Sequence, residues 1–85
     1  ELHPTTGARV ARCGAMARTA GPELALGALA EIPPDTVAAY QPYWATRADL
    51  LHRVERFEEA AAAYDRAIGM SADEAVRRYL AERRE

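Results

Sequence analysis

The chain contains no lysine: its 11 basic residues are all arginine, set against 13 acidic ones for a formal net charge of -2. The arginines are spread among carboxylates rather than massed in one block. That pattern excludes a global electrostatic pull toward DNA or an anionic membrane. A single cysteine, Cys13, rules out an internal disulfide framework and fits a reducing, cytoplasmic setting. No apolar run approaches the roughly 20 residues of a membrane span, and no signal peptide is visible. The two histidines, His3 and His52, have no second His or Cys at ligand spacing, so no metal site is expected. Neither a glycine-rich phosphate loop nor a G-x-S-x-G or H-E-x-x-H pattern occurs, so no cofactor and no catalytic activity are expected. Aromatic residues are scarce, with one Phe and one Trp among 49% hydrophobic residues dominated by alanine. A core of that composition forms by close approach of helices rather than by bulky side chains.

At 85 residues the chain is one small domain, burying only about 60–65% of the surface its unfolded form exposes. It starts at Glu1 directly into LHPTTG and reads as a piece of a longer protein. Residues 1–7 have linker composition, and residues 8–85 form the expected helical domain. A helix over 8–20 carries Val10, Cys13, Ala17 and Ala20 at helical spacing, with Arg9, Arg12 and Arg18 free to face solvent. Gly21-Pro22 ends it and starts the next, over 22–31, which buries Ala25, Ala28, Leu29 and Ile32 with Leu24 and Leu26 at its edges. Ile32-Pro33-Pro34-Asp35-Thr36 is a connector, because two successive prolines cannot continue a helix. Residues 37–41 suit a short helical turn before Pro42. Helices over 42–54 and 57–68 follow, the second ending at Gly69 as C-cap. Ser71-Ala-Asp-Glu74 fits a capping box opening a fifth helix to about Arg83, with Val76, Tyr79 and Leu80 on its apolar face.

The most ordered pattern lies between Tyr43 and Ala72. Trp44, Ala48 and Leu51 recur at i, i+4 and i+7, then Phe57, Ala60, Ala61, Tyr64, Ala67 and Ile68 form a second apolar stripe. Alanines at 48, 60 and 67 let two backbones approach while Trp44, Leu51 and Tyr64 fill the gaps. This order of sizes resembles the tetratricopeptide repeat, a helix–turn–helix of about 34 residues. Trp44, Ala48 and Leu51 fall on its Trp, small and Tyr positions, and Ala60, Tyr64 and Ala67 on its Ala, Phe and Ala positions. Two residues depart: Glu55 stands where the turn usually has Gly, and Ala72 replaces the closing Pro. Shifting by 34 residues puts Gly21 on Glu55, Val10 on Trp44, Gly14 on Ala48 and Ala17 on Leu51. The expected fold is all-α, with two tetratricopeptide-like antiparallel helix pairs and a C-terminal capping helix.

On that alignment a concave side carries Ala11, Ala15 and Arg18 from the first helix and Ala45, Asp49, His52 and Arg53 from the third. Arg12, Arg18, Asp49, His52 and Arg53 are the candidate partner-binding residues. The segments Tyr40–Leu51 and Ala63–Met70, with Arg56, Glu59, Ala60, Ala75–Arg77, Tyr79 and Leu80, resemble something narrower. They are similar to the C-terminal tetratricopeptide-like extension of bacterial extracytoplasmic-function-type sigma factors. The Asn-Arg-Ala signature common in that family's first helix is matched here by Ala11-Arg12-Cys13, without the Asn. The resemblance covers roughly residues 6–83. It implies a regulatory or scaffolding role within a factor that directs RNA polymerase to promoters. The implied partners are upstream sigma regions of the same chain or the polymerase, with no direct DNA contact from these residues. Two repeats are fewer than a self-sufficient solenoid usually has, so a homodimer is also open. A free-standing adaptor or dimerisation module binding a peptide or protein is the alternative; a small-ligand pocket between the first and third helices is a third reading.

Overall fold

In the computed structural model, which describes residues 6–84, the chain is all-α. Six helices follow in order: α1 (Thr6–Thr19), α2 (Pro22–Ala30), α3 (Pro34–Val37), α4 (Gln41–Arg53), α5 (Phe57–Met70) and α6 (Glu74–Arg84). Each long helix packs on its neighbour in sequence, α1 on α2, α4 on α5 and α5 on α6, while α4 also lies against α1 and α2. Of the expected linker over 1–7, residues 1–5 lie outside the described residues. Thr6 and Gly7 already belong to α1.

The core has two parts, and α4 faces both. Val10, Cys13 and Ala17 of α1 meet Ala25, Leu29 and Ile32 around α2, and Val37, Tyr43 and Leu50 complete this first cluster. Ala48 and Leu51, on the adjoining face of α4, pack with Ala60, Ala63, Tyr64 and Ala67 of α5 and Leu80 of α6. Leu26 and Trp44 are half-buried and touch both clusters. The heptad pair Tyr43/Leu50 went unread beside the Trp44–Ala48–Leu51 stripe, because a helix buried on two sides shows no single narrow face. Ala20 and Phe57, expected in the apolar stripes, are exposed. Phe57 is the first residue of α5, ahead of the buried run that starts at Ala60, and its ring meets His52 edge-on at 5.0 Å. On α6 only Leu80 is buried, Val76 being half-buried and Tyr79 57% exposed.

The turns explain where the helices stop. At the α4–α5 junction the Arg56 amide donates to the Leu51 carbonyl (2.9 Å) and the Glu55 amide to the His52 carbonyl (3.0 Å). With Val54 as the C-cap, these are the paired bonds of a Schellman motif, which requires a left-handed residue at the next position. Glu55 supplies it with φ 65°, the sole non-glycine among the described residues to do so. The residue 34 positions earlier, Gly21, also has positive φ (100°), and serves as N-cap of α2 ahead of Pro22.

Three local expectations are corrected. The short helix lies at 34–37 rather than 37–41, because Pro34 occupies a first-turn position where its fixed φ suits a helix start and its missing amide costs nothing. Gly69 lies inside α5, which runs on to Met70 and is capped by Ser71. The capping box from Ser71 does not form; the Asp73 carboxylate accepts from the Ala75 amide at 2.8 Å, which satisfies one donor of the first turn of α6 directly.

The α3 connector is held by Trp44 and Arg66. The indole Nε1 donates to the carbonyls of Val37 (3.2 Å) and Ala38 (3.3 Å), and the Arg66 guanidinium sits 4.5 Å from the Trp44 ring while also donating to Ala38. Trp44 of α4 is thus a crosspiece that ties the α3 connector to α5 through Arg66.

Replacing Glu55 by Gly removes the cost of holding an L-residue left-handed, about 1 kcal/mol. Glu55 is exposed, so no packing is lost. Calorimetry of Glu55→Gly should show a melting temperature higher by about 4–8 °C; an unchanged or lower value contradicts the assigned turn.

Candidate functional site

A polar-lined groove lies where α1, α4 and α6 converge. Ala11, Gly14, Ala15 and Arg18 form one wall, Ala45, Thr46, Asp49 and Arg53 the floor, and Tyr79, Leu80 and Arg83 the other wall, around about 460 Å³. The spacing follows from the helices. Ala11, Ala15 and Arg18 lie at i, i+4 and i+7 on an exposed side of α1. Ala45, Asp49 and Arg53 lie at i, i+4 and i+8 along α4. Alanine and glycine along the α1 and α4 sides keep side-chain bulk out of the groove.

Steps of 34 residues connect the three walls. One carries Ala11 to Ala45 to Tyr79, and another carries Ala15 to Asp49 to Arg83; all six line the groove. Helix α6 thus presents to the groove residues that stand 34 positions on from those presented by α4.

Asp49 is the electrostatic centre. Its Oδ1 accepts from Arg83 Nη2 at 2.6 Å across 34 residues, and its Oδ2 lies 3.2 Å from Arg53 Nε. The Tyr64 hydroxyl, and then the Asp49 carboxylate, favour the charged Arg83 guanidinium and raise its pKa further. Arg83 also lies 5.7 Å from the Tyr79 ring centre. A second pair, Arg84 Nε to Asp65 at 2.7 Å, ties the end of α6 to α5. Arg18, at the C-terminal end of α1, has no ion-pair partner among the described residues.

Three of the five candidate residues, Arg18, Asp49 and Arg53, come together in the groove. The other two do not. His52 is turned away and exposed against Phe57. Arg12 borders a separate cavity of about 190 Å³ with Arg9, Cys13, Met16, Ala28, Glu31 and Ile32. The Cys13 thiol in that cavity is 5% exposed, and burial raises its pKa against the opposing pull of Arg9 and Arg12, which makes it a packing residue rather than a reactive thiolate. Tyr79, Leu80 and Arg83 were missed as groove residues because α6 reads from sequence as a lid on the last pair; the 34-residue step from Ala45 and Asp49 was the available signal.

Among the described residues no group of three or more His, Cys, Asp or Glu side chains is placed to hold a metal. The groove instead presents guanidinium groups, a carboxylate and two hydroxyls, the chemistry of charge-assisted and bidentate hydrogen bonding. No family model, curated protein or solved structure matches this chain.

Removing Asp49 tests how α6 is held. Exposed ion pairs contribute about 0.2–1 kcal/mol each, so Asp49→Ala should lower the melting temperature by only a few degrees. It should also speed tryptic cleavage after Arg77 and Arg78 by up to about fivefold as α6 opens locally. Unchanged cleavage would mean that Leu80 burial and the Arg84–Asp65 pair seat the helix without Asp49.

Proposed function

We propose that this chain is a non-catalytic protein-docking domain of two tetratricopeptide-like helix pairs with a terminal helix. In this reading it is the C-terminal regulatory or scaffolding extension of a bacterial sigma factor. The observation that carries the docking role is the α1–α4–α6 groove, whose lining repeats every 34 residues and whose polar groups suit recognition rather than chemistry. The repeat reading draws further support from positive φ at both Gly21 and Glu55 and from the crosspiece position of Trp44. The sigma-factor context rests on the residue resemblance over Tyr40–Leu51 and Ala63–Met70.

Mechanistically, a domain of this kind acts by contacting one state of its partner more strongly than another and shifting the balance between them. The contacts would be made by the groove to upstream sigma regions or to the polymerase. A free-standing adaptor is the second reading, favoured by the fact that the groove is complete within this chain and requires no sigma region to form.

The test is promoter-specific transcription by the longer factor, with and without residues 1–85. Loss or misregulation of transcription is expected on deletion. Unchanged transcription under all conditions removes the regulatory role, and sigma-like helices absent from the upstream sequence would favour the adaptor.

A further inference from the structure

We infer that the α1–α4–α6 groove binds an acidic, amphipathic segment of a partner protein, its carboxylates paired with Arg18, Arg53 and Arg83 and an apolar side chain set against Tyr79. The inference deepens the docking role proposed above and rests on it, but does not require the sigma-factor context.

Charge gives the first argument. Three guanidinium groups face one carboxylate in the groove, an excess of positive charge on a chain whose formal net charge is -2. Each guanidinium carries five N–H donors in a rigid fork. Arg53 and Arg83 share the single Asp49 carboxylate, and Arg18 has no ion-pair partner among the described residues. Donors are left over on all three. Asp49 holds two of the side chains in place beforehand, which reduces the ordering cost of binding.

Shape gives the second. Ala11, Gly14, Ala15 and Ala45 let an incoming backbone approach closely, and a volume of about 460 Å³ accepts a few side chains rather than a domain. Among the described residues Tyr79 is one of three exposed large hydrophobics and the one that borders this groove. Tyrosine and arginine together are the residue types that dominate binding energy in protein interfaces. Asp49 in the middle of the floor argues against a nucleic acid, whose continuous phosphates it would repel, whereas a peptide can present a neutral or basic side chain there.

Fluorescence anisotropy of the 85-residue chain tests this with three labelled probes: an amphipathic Leu/Glu peptide, its Gln-for-Glu counterpart, and a single-stranded oligonucleotide of equal charge. The Glu peptide should bind, with its Gln counterpart at least about tenfold weaker. Arg18→Gln and Arg53→Gln should each weaken binding by about tenfold, while Arg77→Gln, outside the groove, leaves it unchanged. Arg18 and Arg53 are exposed, so the folded state should survive, and circular dichroism of each variant verifies it. Equal binding of the two peptides, no binding of either, indifference to both arginine substitutions, or preference for the oligonucleotide would each overturn the inference. So would a dimer in sedimentation that Arg18→Gln and Arg53→Gln dissolve, since the groove would then be filled by a second copy. If peptide binding holds while deletion leaves transcription unchanged, the groove stands and the sigma-factor context falls; the reverse result removes the acidic occupant alone.

Discussion

Helix α4 is the part on which everything else depends, because it is buried on two sides at once. Tyr43 and Leu50 close the cluster shared with α1 and α2, and Ala48 and Leu51 close the one shared with α5 and α6. In a chain this small neither cluster is large enough to stand well alone. Each fully buried leucine on α4 contributes about 1.5–3 kcal/mol, so Leu50 and Leu51, adjacent in sequence and each 1% exposed, hold opposite halves of the domain to one helix. Alanine at 48, fully buried, sets how closely α5 can come.

The third side of the same helix is the floor of the groove. Because Ala45, Asp49 and Arg53 share a backbone with the buried residues, the groove is fixed in place by the core rather than carried on loops. The Asp49–Arg83 pair then sets the position of the α6 wall. Packing and recognition are therefore not separable in this helix: a change that moves α4 moves both clusters and the groove together.

Much of this was legible in the residues, for definite reasons. Spacing located the five long helices, since Gly21-Pro22 and the break near Glu55 punctuate strong helical periodicity. The unusual backbone at Glu55 was legible from the resemblance, which puts a glycine at that turn, and Gly21, 34 residues earlier, also has positive φ. What failed to show was two-sided burial and long-range pairing. Leu50 falls outside the Trp44–Ala48–Leu51 stripe and is buried only because the first cluster closes over that side of α4. The partner of Asp49 sits 34 residues away on a helix whose composition is mostly polar. At the ends of α5 and α6, Gly69 and Ser71 carried the usual cap chemistry but lost to longer helix propagation and to Asp73, a stronger acceptor one residue before the helix. Arg12 and His52 fell away from the groove because a few tens of degrees around a helix axis decide which arginine or histidine faces a neighbour.

The central claim, that α4 joins both halves into one cooperative unit, is tested most directly by native-state amide hydrogen exchange. The account predicts that the amides of α4 exchange only through global unfolding, with α1, α2 and α5 converging on the same free energy as denaturant is added. Exchange of α4 at a lower free energy than α1 or α5 would contradict it. So would protection of α1 and α2 that persists after α4 and α5 have opened.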